Sequence, residues 1–302
     1  MQVILGDFAI FAQFHSLLQL ILCKITIFVN FVPMIKEMSF WKWLGLLLAA
    51  FLLALLMYGF ASMVEFVPHG WVYGLACLAI AAAMVLAYSR FVVLFESRPA
   101  QDLPLGKLAG HSGIGLSVGL GYFVLVTGVI ALAGCYKIIG TGASAKEIIS
   151  MFCYFSVVAV GEEIVFRGVL FRWIDEKWGF PVALIVSALV FGIVHITNPG
   201  GTLWSSIAIA IEAGLLLGAA YKWSGTLWLP IGIHWAWNFS QGNVFGFMVS
   251  GQEAGDSLIQ AQIEGPDWLT GGMFGAEASV VAVVIGALLS AWFIWQISRR
   301  NH

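Results

Sequence analysis

Charge is scarce in this sequence. Asp, Glu, Lys and Arg make up 10% of its 302 residues, against about 25% in an ordinary soluble domain. A water-exposed chain so poor in charge would show large apolar patches and aggregate, which excludes an ordinary soluble globular domain. An excess of positive charge is missing too. The net charge is -2, so there is no basic field for nucleic acid. Cysteine is sparse: Cys23, Cys77, Cys135 and Cys153 lie in or beside apolar segments with no CxxC spacing. That excludes a disulfide framework and a zinc ribbon and leaves four small buried hydrophobes. No HExxH sets two zinc ligands on one helix. Residue 2 is Gln where myristoylation needs Gly, and SRRNH at the end is no lipidation box. Internal repeats and low-complexity runs are also lacking.

What fills the sequence is apolar: 61% of residues are hydrophobic and the mean hydropathy is +0.95. A membrane-spanning helix needs roughly 20 mostly apolar residues. Eight such segments follow residue 38: 41–62, 71–94, 113–134, 147–172, 180–197, 203–222, 225–247 and 278–298. The fold class is all-α, a polytopic transmembrane bundle of about eight spans. Lys36, Lys42, Arg90, Arg98, Lys107, Arg172, Lys177, Lys222, Arg299 and Arg300 fall on one side if the spans alternate. Lys137, Lys146 and the acidic loop with Glu253, Asp256, Glu264 and Asp267 fall on the other. Basic loops stay in the cytoplasm, so both termini are expected there. Residues 1–37 are an apolar extension that carries Asp7 and Lys24 and lacks the basic start of a signal peptide. An interfacial helix, a ninth span and residues upstream of the real start are all open readings, and MSFWKWLGLLL from Met38 resembles a natural beginning. Residues 38–302 form the eight-span membrane domain.

Ionisable residues inside the spans gather late in the chain: Glu162, Glu163 and Arg167, then His195, Glu212 and His234. A charge at the bilayer centre costs about 2.5–3.5 kcal/mol even on the permissive insertion scale, so such residues face a bundle interior or a watery cavity. Glu163 and Arg167 are four apart on one helical face and read as a structural ion pair. At about 100° per residue, Glu162 points roughly 140° away from Arg167 and has no partner on its own helix. A buried, unpaired carboxylate suits a general base. The next span ends in FGIVH, residues 191–195, followed by Asn198. A later one carries HWAWN, with His234 and Asn238 on one face. From the helical rise, Glu162 and His234 lie about 15 Å deep and His195 about 22 Å, so tilt or a shifted helix boundary must bring them level. A carboxylate and an imidazole can take a proton from water while a second imidazole and an amide stabilise an oxyanion. Glu162, His195 and His234 can instead be read as ligands of Zn²⁺. The spacing does not choose between these.

EEIVFR, FGIVH and HWAWN read as EExxxR, FxxxH and HxxxN boxes, in that order on successive apolar segments. This resembles the CPBP family of intramembrane proteases, which holds the type II CAAX prenyl proteases and the bacteriocin-processing and immunity proteins. The likeness covers a core at about 147–247. It implies an eight-helix fold enclosing a polar, water-accessible cavity, Glu162 activating water with help from His195, and His234 and Asn238 at the oxyanion. Under a metalloprotease reading it implies His195 and His234 as metal ligands. Glu163 and Arg167 follow the box as support, and Glu212, outside it, reads as a hydrogen-bonding neighbour of the site. The implied partner is a membrane-anchored protein or peptide with a hydrophobic segment or lipid by the scissile bond, in a bacterial plasma membrane. The cavity is expected near the cytoplasmic half. Two other classes compete: a scaffold or immunity protein whose polar residues only hold helices together, and a proton-coupled transporter, whose proton path would use the same Glu and His residues.

Overall fold

The computed structural model describes residues 40–67 and 70–300. The 1–37 extension and Lys36 therefore lie outside the described residues. The chain divides into two units, Met1–Leu48 and Ala49–His302, and the second carries the helical bundle.

Each apolar run read from the sequence is helical. The first is α1, Phe40–Ser62, followed by α2, Trp71–Glu96, and α3, Leu108–Leu132. Ser144 and Glu147 form a capping box that starts α4, Ala145–Glu163, by satisfying two orphan backbone amides. This helix continues through a π-helical stretch, Ile164–Phe171, into α5, Arg172–Trp178. Gly179, at φ 84°, adopts a backbone few other residues tolerate and turns the chain into α6, Phe180–Val194. The α7 helix, Leu203–Ile209, passes through a second π stretch, Ala210–Leu215, into α8, Leu216–Ser224. Next, α9, Trp228–Phe239, continues into a third, Ser240–Val244. A four-residue α10, Asp267–Thr270, precedes the last helix, α11, Val280–Arg300.

Among the described residues, six helical stretches are long and apolar enough to cross a membrane: Trp71–Glu96, Leu105–Leu132, Ala145–Trp178, Phe180–Thr197, Leu203–Ser224 and Val280–Arg300. The seventh span expected at 225–247 is shorter, a helix over 228–244. Leu75, Leu86, Leu94, Leu189 and Leu288 are exposed on the outer faces. These faces are as apolar as the core, as bilayer-solvated helices require. The stretch Leu203–Ser224 is the most enclosed. It sits at the centre, against α6, α9 and α11.

A small sheet departs from the all-helical expectation. β1, Tyr136–Thr141, pairs antiparallel with β2, Ile259–Ile263, from Tyr136 opposite Ile263 to Thr141 opposite Ile259. Both strands lie in stretches read as plain loops and are too short to signal alone. Besides pairing with each other they are anchored by Tyr136, whose hydroxyl donates to Phe245 O at 2.9 Å and whose ring stacks on Phe247.

The bundle has two distinct ends. At one, Arg172 meets Glu96 at 2.5 Å, Lys222 meets Asp175 at 2.6 Å, and Arg300 donates to Trp223 O at 2.6 Å. Most of the basic side chains gather there. At the other lie the two-stranded sheet, the 195–202 turn and the 245–279 connection, tied by Trp204 Nε1 to Ala278 O at 2.8 Å. Helix α9 is pressed onto α3 through glycines. A methyl group on Gly119 would lie 2.3 Å from Ile233 O, and one on Gly115 2.4 Å from Leu229 O. Small residues let helix backbones approach this closely without a hydrophobic driving force, and here they fix the height of His234.

Candidate active site

The stretch GEEIVFRG bridges the change from α4 to the π-helical turn. Wider turns of this kind are frequent at functional sites; the helices that carry Glu212 and His234 also run into one, whereas the helix that ends at His195 does not. Glu163 and Arg167 are fully buried and pair at 2.7 Å, as their four-residue spacing predicts. The guanidinium also reaches Ala213 O at 3.2 Å and Gly214 O at 3.4 Å, carbonyls of the π stretch that follows α7. Its other face rests on the Phe191 ring, 4.5 Å from the centroid, a favourable stacking for a desolvated cation. Arg167 thus joins the box helix to α6 and to the central helix.

Glu163 does more than pair with Arg167. Its Oε1 also accepts from His234 Nδ1 at 2.9 Å. An ionised carboxylate only accepts, so Nδ1 carries the proton and Nε2 is the free nitrogen. That Nε2 faces Glu162, with Oε2 at 3.8 Å. His234 therefore stands between the two adjacent carboxylates. Their environments differ: the Glu162 side chain is 33% exposed and that of Glu163 is 0%. Of the two side chains only that of Glu162 is partly open to water, while its Oε2, the oxygen that faces His234, is buried and has no hydrogen-bond partner among the described residues.

His195 ends α6 and is half-buried. Its Nδ1 donates to Phe191 O at 2.7 Å, because a carbonyl can only accept. Again Nε2 is left free. His195 and His234 line one small cavity with Trp237, Asn238, Ser250 and Glu277. The two histidines are thus brought together despite the expected difference in depth. The cavity measures about 20 Å³, where one water needs at least about 10–15 Å³. It lies against the 245–279 connection, toward the sheet end and away from the basic loops.

Asn198 and Glu212 do not touch the histidines. The Asn198 amide donates to Ser250 O at 3.0 Å. Glu212 is fully buried and lies 2.9 Å from the Tyr122 hydroxyl, and Tyr122 stacks on Trp237 with centroids 4.0 Å apart. It sits behind the cavity wall. Among the described residues, no group of three or more His, Cys, Asp or Glu side chains is arranged to hold a metal ion.

Glu277 escaped the sequence reading. It is 1% exposed and accepts a short hydrogen bond from Ser250 N. Ser250 is held at φ 48°, a left-handed backbone seldom adopted by residues other than glycine. Burial pushes the Glu277 carboxyl up to about 7, against the Ser250 hydrogen bond, which lowers it. The one available signal was an acid directly before an apolar run, in FGAEASVV.

Residues 144–240 match a protein-family model described as type II CAAX prenyl endopeptidase Rce1-like. The resemblance drawn from the three boxes is borne out over that stretch. No curated protein and no solved structure matches the chain.

Proposed function

We propose that this integral membrane protein, whose residues 144–240 form a type II CAAX prenyl endopeptidase-like domain, is an intramembrane endopeptidase that uses Glu162 to activate water. The observation that carries this reading is His234, set between buried Glu163 at 2.9 Å and water-accessible Glu162 at 3.8 Å, beside the cavity. Glu163, held by Arg167, fixes the imidazole and aims its Nε2 at the water that Glu162 deprotonates. A hydroxide from that water adds to the scissile carbonyl. His195 and Asn238, on the cavity wall, face the oxygen that gains charge. The proton taken from water passes to the leaving amine as the C–N bond breaks. The substrate is a membrane-anchored protein or peptide, since the site lies among apolar helices.

The test is a terminus-resolved comparison of membrane proteomes with the wild-type chain and with Glu162→Gln, at matched expression and stability. New protein ends are expected only with the wild type. Loss of a general base lowers the rate by about 10²–10⁴-fold. Identical ends from both would remove Glu162 from the chemistry. A scaffold reading draws on the Arg167–Glu163–His234 chain, which links helices whatever else it does. It requires Glu162→Gln to leave the phenotype unchanged.

A further inference from the structure

A groove of about 650 Å³ lies at the sheet end, outside the small cavity. Its volume falls within the range of about 300–1,000 Å³ usual for ligand sites. Trp204, Trp268 and Met273 line it, with Asp267 as its one charged side chain. Two connections form both the groove and the cavity wall. Ala278 lines the groove and the adjacent Glu277 lines the cavity. Phe274, in the groove, accepts from Gly251 N at 2.8 Å, next to the cavity residue Ser250. At the opposite end of the bundle are Arg98, Arg172, Lys222, Arg299 and Arg300. Cytoplasmic loops carry the excess of Lys and Arg.

Resting on the protease reading above, we propose that substrate polypeptide enters through this groove, from the membrane face opposite the basic loops, so that the scissile bond belongs to a segment on the non-cytoplasmic side. An extended segment with apolar or aromatic side chains matches the lining. The cavity behind, lined by His195, His234 and Asn238, has room for about one water and not for a polypeptide, which is why a separate, larger recess beside it is needed.

Two single cysteines test this in intact cells with a bulky membrane-impermeant maleimide, the parent chain serving as the blank. Met273→Cys is in the groove, where Met273 is 77% exposed. Ser298→Cys is a near-isosteric change at the other end. Met273→Cys is expected to label from outside and to lose at least about tenfold of its cleavage on labelling, a change of about 1.4 kcal/mol or more in the barrier. Ser298→Cys is expected to label only after permeabilisation. Labelling of Ser298→Cys but not Met273→Cys from outside overturns the proposal, as does labelling of Met273→Cys with cleavage undiminished. Glu162-dependent ends in cytoplasmic segments overturn it while leaving the protease reading intact. The expected labelling with no Glu162-dependent ends anywhere refutes the protease reading, and the substrate route falls with it.

Discussion

Removing the Arg167 side chain, as in Arg167→Met, strands the Glu163 carboxylate in a site with no access to water. The pair is separated by 2.7 Å with both partners 0% exposed. At an effective dielectric of about 20 the lost attraction is roughly 6 kcal/mol. Relaxation and protonation of Glu163 offset part of it, and breaking buried pairs by removing one partner costs about 3–5 kcal/mol. The carbonyls of Ala213 and Gly214 also lose their donor, at long distances of 3.2 and 3.4 Å, and add little. A loss of about 4 kcal/mol is expected. In Arg167→Met with Glu163→Gln no buried charge is left over. The amide introduced by Glu163→Gln still offers an oxygen to His234 Nδ1, so at least about 2 kcal/mol should return. Equilibrium unfolding in mixed micelles with rising dodecyl sulfate measures both, and the 13 tryptophans supply the fluorescence signal. A loss below about 1 kcal/mol for the single change, or simple additivity of the two, would refute the buried-pair account.

Glu277 gives a pH dependence of defined sign. Its carboxyl rises from 4.5 to about 7 on folding, so the native state holds a proton that the unfolded state releases. The contribution of Glu277 to stability should fall as pH rises from about 4.5 to about 7, by roughly 3 kcal/mol, and then level off. Glu277→Gln should remove that slope and melt higher at pH 8, as read by thermal unfolding in detergent; an unchanged slope would mean the carboxylate is ionised throughout. Gly119→Ala drives a methyl group to 2.3 Å from Ile233 O, whereas Gly121→Ala meets nothing within 4 Å. The first should destabilise by about 1–3 kcal/mol and lower cleavage by displacing His234, and the second should be neutral or stabilising. Equal effects would show that the contact of α3 with α9 does not set the site.

What could be read from the sequence depended on how far away each residue's partner was. The spans were legible because a helix satisfies its own backbone, so length and apolarity suffice. The Glu163–Arg167 pair was legible because four residues bring both onto one face. His234 was found as a residue, but its seat between the two carboxylates was not. The angle of about 140° between Glu162 and Arg167 assumed regular α geometry, while the chain turns π-helical at Ile164. No single-residue signal marks that change. Arg172 reads only as one of the basic loop charges, and Glu96 and Asp102 carry no signal in the sequence. Folded, Arg172 bonds both Glu96 and Gly168 O, and Tyr88 bonds Asp102 and the same carbonyl. Gly168 closes the GEEIVFRG stretch, so the loop charges at the basic end hold the π turn whose other side carries Arg167. Glu277 was hidden for the same reason: its partner is Ser250, 27 residues away on a connection with no periodicity to predict its path. The three boxes name the residues that the protease reading puts to chemical use, but the residues that aim them come from segments the boxes do not contain. A chain with the boxes intact and either end altered should therefore fold its helices and still misplace His234.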